Sequence, residues 1–476
     1  MSLSQKLAER QLKLNNISEN GKRIFQDLVA ELARAYSLWA NDHDSYYQEI
    51  SKSNLIFTTI NSPFDLNKEM LRRVHDGEPC IYQLFHTEKS LCLTRELSVV
   101  IHKCGNLNCL PDELHSVINE IVYEYINSTI GVFFEIIDNN FKGRIILDEC
   151  LKYILAARVS NFKKRFSSTL YQFPVVIFNL DREVKLSENI RLIPIDSTGL
   201  KEKELMMFNE TRPYKSNFFL EVFVKVKCSQ ALSLQLAEKS RDTTYNILKL
   251  LATHLSPQAI PLLTSNDRVM SPFHFYRYGP NGNDFSNATI RNFAYFQFHS
   301  KEFWDEFHKN QNIDDGLITL AFQIVELLLI PNFSNERVAE RFERALLWYG
   351  DAVTEYIPFQ QIQKIVSSME ALINFHDGDI TEKFKRRITN LHVSHKGLNE
   401  DIREKAGQLY DARSKIIHGS SHNEKLNFCI INFCSETLLR AIYYFSIFGF
   451  DKTGFRKSLP KFLDEIPINI EPKINP

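Results

Sequence analysis

The chain has 476 residues, of which 44% are hydrophobic and 24% are charged. These fractions are ordinary for a folded protein and exclude an intrinsically disordered chain. Lys and Arg number 57 against 58 Asp and Glu, so the formal net charge is −1 and any basic surface must be local. The length favours two or three domains over a single core.

Two apolar stretches, residues 317–330 and 428–448, are the candidates for membrane spans. The first is shorter than the roughly 20 apolar residues that a span needs and contains Glu326, and the second contains Glu436 and Arg440. We therefore predict that both form buried core helices. The polar start of the chain lacks the apolar region of a signal peptide, so we expect a soluble, cytoplasmic protein without membrane contact.

The N-terminal two thirds of the chain mixes helical and strand patterns. Residues 1–50 and 111–170 carry apolar residues at helical spacing. Residues 173–194 alternate apolar and polar residues between turn signals, which predicts a hairpin of short strands. A further strand is predicted over 218–226, followed by a helix over 233–251.

The last third of the chain has helical patterns throughout. Ser334 and Asp379 are predicted to cap the N-termini of helices, and Pro358 suits a first helical turn. Gly419 is placed to end the helix that leads to His418.

These patterns predict an α+β protein. Residues 1–310 form a mixed α/β N-terminal region, with room for two subdomains that divide near residue 170. Residues 311–476 form an all-α helical bundle.

One helix of the predicted bundle, residues 398–419, carries an arginine on its apolar stripe. At about 100° per residue, Arg413 returns to within about 20° of Ile402. Arginine is seldom buried without an acid, a partner subunit or an anionic ligand. In a straight helix His418 would point about 140° away from Arg413. A joint site therefore needs the helix to end near Gly419, or a second subunit to supply the other half.

Histidine and arginine together suit the cleavage of RNA. A histidine can take the proton of a 2′-OH that attacks the adjacent phosphate, and can return a proton to the leaving group. An arginine offers fixed donors to the charge that develops on phosphorus and keeps its own proton. This reaction needs no metal. Residues 380–427 contain ten Lys and Arg against six Asp and Glu. The basic side chains that can follow a phosphate backbone are Lys383, Lys385, Arg386, Arg387, Lys415 and Lys425.

The segment LYDARSKIIHG, residues 409–419, is an R-x4-H motif that ends in glycine. It resembles the LY-x-x-RSK-x-x-HG segment of the Apea-like branch of the HEPN superfamily. The segments RFERALLWYGDAV (341–353) and SSMEALI (367–373) also resemble that branch, and the likeness covers about residues 315–450. Many family members carry Asn, Asp or His directly after the arginine, where this chain has Ser414.

The resemblance implies a helical domain that dimerises and brings two R-x4-H motifs together. It implies an endoribonuclease without metal or other cofactor, which acts in antiphage defence or toxin systems. Arg413 and His418 are the catalytic pair that it implies, and the supporting positions are Ser414, Glu370, Arg387 and Lys415. The region before residue 311 is similar to the sensor or regulatory part that accompanies this domain, which implies a phage-derived trigger.

Three other interpretations stay open. A helical bundle of this class can bind RNA or nucleotides, or assemble complexes, without cutting. It can also be an antitoxin partner that a neighbouring transferase modifies with nucleotides. At the level of single residues, Arg413 can pair with Glu370 or Asp411 inside the bundle, and His418 can be a C-terminal cap.

Other residue groups invite weaker hypotheses. A zinc site is conceivable from Cys80, Cys92, Cys104, Cys109, His86 and His102, but only the last cysteine spacing resembles a zinc knuckle, and isolated reduced thiols are favoured. The aromatic runs at 273–279 and 293–299 can stack RNA bases, although half-buried strands are favoured. Among the histidines near the motif, His392 is predicted to lie at the surface.

Overall fold

The computed structural model describes residues 19–52, 59–61, 83–129, 149–177, 179–195, 217–255, 274–278, 284–289, 295–296, 301–311, 313, 316–355, 357–375, 378–393, 400–420 and 425–466. The protein is mostly helical and contains a five-stranded sheet, of which the four strands in the N-terminal half are antiparallel, and the predicted α+β class is confirmed. The chain forms two compact units. Residues 1–168 and 227–233 belong to the first, and residues 169–226 and 234–476 to the second.

The first unit is a set of helices around its own apolar core. Its helices are α1 (Glu19–Asn41), α2 (His43–Lys52), α3 (Glu88–Gly105), α4 (Leu114–Ser128) and α5 (Glu149–Lys163). Two short strands, β1 (Thr59–Asn61) and β2 (Gln83–Phe85), pair antiparallel. Leu28 and Leu32 of α1 and Ile118 of α4 are among the core residues. The helix predicted over residues 1–50 is thus confirmed from Glu19, and the preceding residues lie outside the described part.

The sheet has the strand order β4-β5-β6-β3-β9. Its strands are β3 (Ser167–Ile177), β4 (Val184–Lys185), β5 (Ile190–Pro194), β6 (Phe218–Cys228) and β9 (Tyr295–Phe296). β4 and β5 form the predicted antiparallel hairpin, β5 pairs antiparallel with β6, and β9 runs parallel to β3. The turn before β4 contains Asn179 at φ 58°, a left-handed conformation that asparagine tolerates well. A separate hairpin joins β7 (His274–Tyr278) and β8 (Asp284–Thr289), which confirms a strand in the first aromatic run.

The helices of the second unit begin with α6 (Gln230–Leu255), which confirms the helix predicted after the strand at 218–226. The others are α7 (Lys301–Asn310), α8 (Leu317–Leu328), α9 (Val338–Val353), α10 (Pro358–Ile373), α11 (Ile380–Leu391), α12 (Glu400–Ile417), α13 (Ile430–Phe448) and α14 (Ser458–Asp464). The helices α8 and α13 bury most of their apolar residues, as predicted for core helices. No helix in the described part of the chain is both long and apolar enough to cross a membrane. The functional boundary predicted at residue 311 stays a prediction.

The predicted helix ends were correct where the signal is local. Pro358 is the first residue of α10. The prediction that Ser334 caps α9 was wrong, because Arg337 is the N-cap and its backbone N–H donates to Glu340 at 2.9 Å. The free N–H groups of the first turn reach the carbonyls of Lys452 and Phe450, which follow α13. Asp379 precedes α11 as predicted, but at φ 46° its side chain makes no capping hydrogen bond.

Candidate functional site

The C-terminal end of α12 exposes His418. Gly419 adopts φ +71°, and the N–H of Ser420 donates to the Lys415 carbonyl at 2.8 Å. The N–H of Gly419 donates to the Ile416 carbonyl at 3.1 Å, which completes the two bonds of a Schellman motif. The predicted glycine stop is therefore confirmed. His418 is the capping residue, and its exposed imidazole lies at the end of the helix where the dipole favours a cation.

Arg413 lies at the edge of the buried face of α12. Ile402, Ala406 and Leu409 are buried as predicted, but the buried stripe continues through Ala412 rather than through the arginine. The Arg413 side chain keeps 28% of its surface exposed, and its Nη2 lies 3.6 Å from Oε2 of Glu370. The guanidinium carbon also lies 5.9 Å from the centre of the Tyr410 ring. An acid, one of the partners that the sequence allowed, therefore contacts Arg413.

Glu370 comes from α10, which packs against α12. Only 17% of its side chain is exposed, so its charge acts in a region of reduced solvent screening. The pKa of the neighbouring Tyr410 is raised by burial, by the charge of Glu370 and by a hydrogen bond to it, against the opposing charge of Arg413. Arg413, Glu370 and Tyr410 thus form one coupled cluster.

Arg387 has a different environment from Arg413. Its side chain is 1% exposed, and Nε and Nη2 donate to the two carboxylate oxygens of Asp464 at 2.8 and 3.2 Å. Nη1 donates to the Ile373 carbonyl at 2.7 Å. A buried guanidinium with these partners holds α11 to α14 and cannot follow a phosphate backbone.

The other predicted site residues near the motif differ in their exposure to solvent. Ser414 is half-buried within the helix, and its carbonyl accepts the N–H of His418 at 3.0 Å. Lys415 is exposed, and so are Arg386 and Lys425. Of these, Lys415 lies in the last turn of α12, whereas Arg386 lies on α11 and pairs with Asp464 at 2.9 Å.

His392 was predicted to lie at the surface, and this prediction was wrong. The ring is 5% exposed, and its Nε2 lies 2.9 Å from the Thr437 hydroxyl. Burial lowers the pKa of His392, against the raising effect of its contact with Glu436. The ring belongs to the packing between α11 and α13.

The cysteine cluster does not assemble in the described residues. No three His, Cys, Asp or Glu side chains there could hold a metal ion together, and Cys80 lies outside the described part. The ring of His102 contacts the backbone carbonyl of Cys109 at 2.9 Å. Burial raises the pKa of the Cys109 thiol to about 12, which opposes the thiolate that a metal would need.

A cleft that Glu370 lines contains residues that the sequence analysis missed. Arg341, Arg344, Trp348 and Arg456 line it together with Glu370. The signal for Arg341 was present, because it lies three residues after Val338 on the buried face of α9. The reasoning applied to Arg413 would have found it.

Comparisons of the chain with protein-family models, with curated proteins and with solved structures find no match. The function must therefore be argued from the residues and their geometry.

Proposed function

We propose that this protein is a cytoplasmic HEPN-type endoribonuclease that cleaves RNA through attack of a 2′-OH on the adjacent phosphate. One observation carries the proposal. The helix α12 ends so that His418 is exposed, five residues after a partly exposed Arg413 that Glu370 contacts at 3.6 Å.

The two side chains have complementary roles in this reaction. The imidazole of His418 takes the proton of the 2′-OH and returns a proton to the 5′-oxygen that leaves. The guanidinium of Arg413 donates hydrogen bonds to the phosphate oxygens as negative charge develops on them. The products are a 2′,3′-cyclic phosphate and a free 5′-hydroxyl, and the balance of protons needs no redox partner or metal.

The active form in this proposal is a homodimer. His418 and Arg413 stand about 140° apart around an ideal helix, so one copy presents them in different directions. A two-fold axis beside the ends of two α12 helices lets each phosphate meet the arginine of one copy and the histidine of the other. The exposed side chains of Lys415 and Lys425 would then hold the RNA backbone.

The proposed purpose is antiphage defence by arrest of the infected cell. In this scheme the region before residue 311 senses a phage-derived trigger and restrains the nuclease until the trigger is present. Fold alone does not assign such a role, and only the resemblance of the sequence supports it.

A second candidate function is a non-catalytic RNA- or nucleotide-binding module. The contact between Arg413 and Glu370 favours it, because a carboxylate at 3.6 Å already compensates the guanidinium. In this case Arg413 stabilises the bundle and His418 caps a helix.

The deciding experiment is cleavage of total cellular RNA by purified protein in EDTA. We compare wild type with Arg413→Ala and His418→Ala. Arg403→Ala serves as a matched control, since Arg403 lies on the same helix, with 42% of its side chain exposed, and pairs with Glu382. General acid–base and electrostatic contributions predict a loss of about 100-fold or more in each of the first two variants.

Activity that both variants lose and Arg403→Ala retains would establish the nuclease. Equal cleavage by all four proteins would refute the catalytic assignment. If the wild type cleaves no RNA, the assay is repeated with lysate of phage-infected cells. RNA binding without cleavage in that lysate would favour the second candidate.

A further inference from the structure

A cleft of about 840 Å³ lies beside α9 in the second unit. Arg341, Arg344 and Trp348 of α9 line it, and their spacing of three and four residues places them on one face of that helix. Ligand sites occupy roughly 300–1,000 Å³, so the cleft has the size of one. The proposed ribonuclease reaction uses none of these three side chains.

The guanidinium of Arg341 is enclosed in the wall of this cleft. The residue is 7% exposed, and its guanidinium carbon lies 4.2 Å from the ring centre of Phe375 and 5.8 Å from that of Phe455. Nη2 donates to the Asn374 carbonyl at 2.7 Å, but the buried Nε has no hydrogen-bond partner among the described residues. Burial lowers the pKa of Arg341 to about 10, although the charge of Glu336 raises it. A buried cation of this kind is costly unless an anion compensates it.

The acids that line the cleft do not supply that anion. Each of the three already contacts another cation: Glu336 with Arg344, Glu340 with Arg337, and Glu370 with Arg413. In the described part of the chain, no carboxylate lies within ion-pair distance of Arg341 or of the exposed Arg456 at the rim. This small positive surplus suits a ligand with a carboxylate. The several charges of a nucleic-acid backbone would meet three carboxylates in the lining, which oppose them.

The exposed aromatic side chains of the cleft favour a protein as the ligand. Trp348 is 42% exposed and Phe333 is 41% exposed, although side chains of this size are usually buried. Tryptophan and arginine are enriched among the residues that dominate the binding energy of protein interfaces. Trp348 follows Arg341 by seven residues, which is about 10 Å along a helix. About three residues of extended chain span the same distance.

We propose that this cleft binds the C-terminal segment of a partner protein, whose free α-carboxylate pairs with Arg341 and whose preceding apolar side chains pack on Trp348. The rings of Phe375 and Phe455 enclose the guanidinium, so a chain that ends there needs only one way out of the cleft. Capture of a terminal carboxylate is a recurring mode of peptide recognition. The inference goes beyond the proposed ribonuclease, because neither His418 nor RNA takes part in it.

Fluorescence polarisation with the full-length protein tests the proposal. The probe is a pool of fluorescein-labelled pentapeptides whose last three positions are randomised over apolar residues. One pool carries a free C-terminal carboxylate, and a second pool is the matching amide. We expect the free acid to bind at least about tenfold more tightly, because the amide loses the charge-assisted hydrogen bond to Arg341. Equal affinity of the two pools, or no binding of either, overturns the proposal.

Three variants test whether the peptide occupies this cleft. Trp348→Ala should weaken binding of the free acid about tenfold. Arg341→Met removes the buried charge and keeps a long side chain, and such replacements are often neutral or stabilising. We therefore expect Arg341→Met to resist urea at least as well as wild type and to bind the two pools equally. Lys457→Ala, an exposed neighbour of Arg456, is the control and should bind like wild type.

Wild-type affinity in Trp348→Ala overturns the proposal, as does a folded Arg341→Met that still prefers the free acid. Arg456→Ala repeats the test without a change in the core and should weaken binding of the free acid about threefold, since its charge is exposed. A single-stranded RNA oligonucleotide is the last arm. If this RNA binds and neither pool does, and Arg456→Ala abolishes the binding, the cleft belongs to RNA and the peptide proposal fails.

Discussion

Glu370 of α10 lies 3.6 Å from Arg413 of α12, measured from the carboxylate Oε2 to the guanidinium Nη2. The same carboxylate raises the pKa of Tyr410, after burial, and lines the cleft beside α9. One acid therefore contacts the candidate catalytic arginine and also lines that cleft. This makes Glu370 the residue whose replacement is most informative.

Replacing Glu370 with Gln removes the charge and preserves the shape of the side chain. We expect RNA cleavage to fall about fivefold, because Arg413 loses the group that positions it, which costs about 1 kcal/mol for a partly exposed pair. The pKa of Tyr410 should fall at the same time, since the charge of Glu370 raises it. Ultraviolet titration of the tyrosines, compared with a Tyr410→Phe variant, measures this change.

Glu404→Gln is the matched control for that experiment, since Glu404 is exposed on α12. Glu370→Asp should restore much of the cleavage and of the Tyr410 pKa. A normal cleavage rate in Glu370→Gln, together with a lowered Tyr410 pKa, would contradict a positioning role for Glu370.

A composite site across a two-fold axis makes a prediction about mixed proteins. Arg413→Ala and His418→Ala are each inactive alone, but a heterodimer of the two variants contains one intact pair of side chains. Mixing them under conditions that allow subunit exchange should recover up to about a quarter of the wild-type rate, because half of the dimers are mixed and each has one site of two. RNA cleavage by the mixture measures it, and the heterodimer purified through two different tags should reach about half of the wild-type rate. No recovery in a verified heterodimer would place both residues of a site in the same copy.

The sequence predicted the features of this bundle that depend on local signals. Helical periodicity and Gly419 gave the end of α12 correctly, because a left-handed residue after a helix is a local backbone requirement. The cap of α9 was not predictable in this way. Its first N–H groups are satisfied by Glu340 and by carbonyls that follow α13, more than a hundred residues later in the chain.

The roles of the arginines show the same limit. The positions of Arg387 and Arg341 on apolar helix faces are visible in the sequence, but their partners are not. Asp464 lies 77 residues after Arg387, and no motif connects them. The interpretation of Arg387 as a phosphate contact rested on local charge, which cannot distinguish a buried cation from a surface one.

The pair formed by Arg387 and Asp464 carries a prediction about stability. Asp464→Asn leaves the buried guanidinium without its counter-ion, and breaking such a pair costs about 3 kcal/mol or more. Denaturant unfolding at pH 7 measures the loss, with Asp451→Asn as an exposed control. A change below about 0.5 kcal/mol would contradict the structural role assigned to the pair.

The ion pair between Arg387 and Asp464 also determines the direction in which the free energy of unfolding changes with pH. Burial alone would raise the pKa of Asp464, but the hydrogen bonds from Arg387 and Arg386 outweigh it and lower the pKa. The contribution to stability is therefore fully present above the unfolded pKa of about 4, and is lost as the pH falls through the folded pKa. The difference between wild type and Asp464→Asn should shrink below pH 4.

His86 of the first unit also has a lowered pKa, and its effect on stability appears at higher pH than that of Asp464. Its ring is 3% exposed, and its Nδ1 lies 2.9 Å from the Ser90 hydroxyl. Burial lowers the pKa of His86 to about 4 from an ordinary value of 6.5, so the unfolded chain binds a proton in this interval and the folded chain does not. Stability due to His86 is therefore present above pH 6.5 and is lost as the pH falls toward 4.

At pH 5 this effect should cost the wild type about 2 kcal/mol relative to pH 7.5. The variant His86→Gln cannot titrate, so we expect it to be less stable at pH 7.5 but to lose less stability on acidification. Urea unfolding of both proteins at the two pH values measures the difference, and the exposed His43→Gln should behave as wild type. An equal loss in wild type and His86→Gln would mean that the buried ring is not the group that senses the acid.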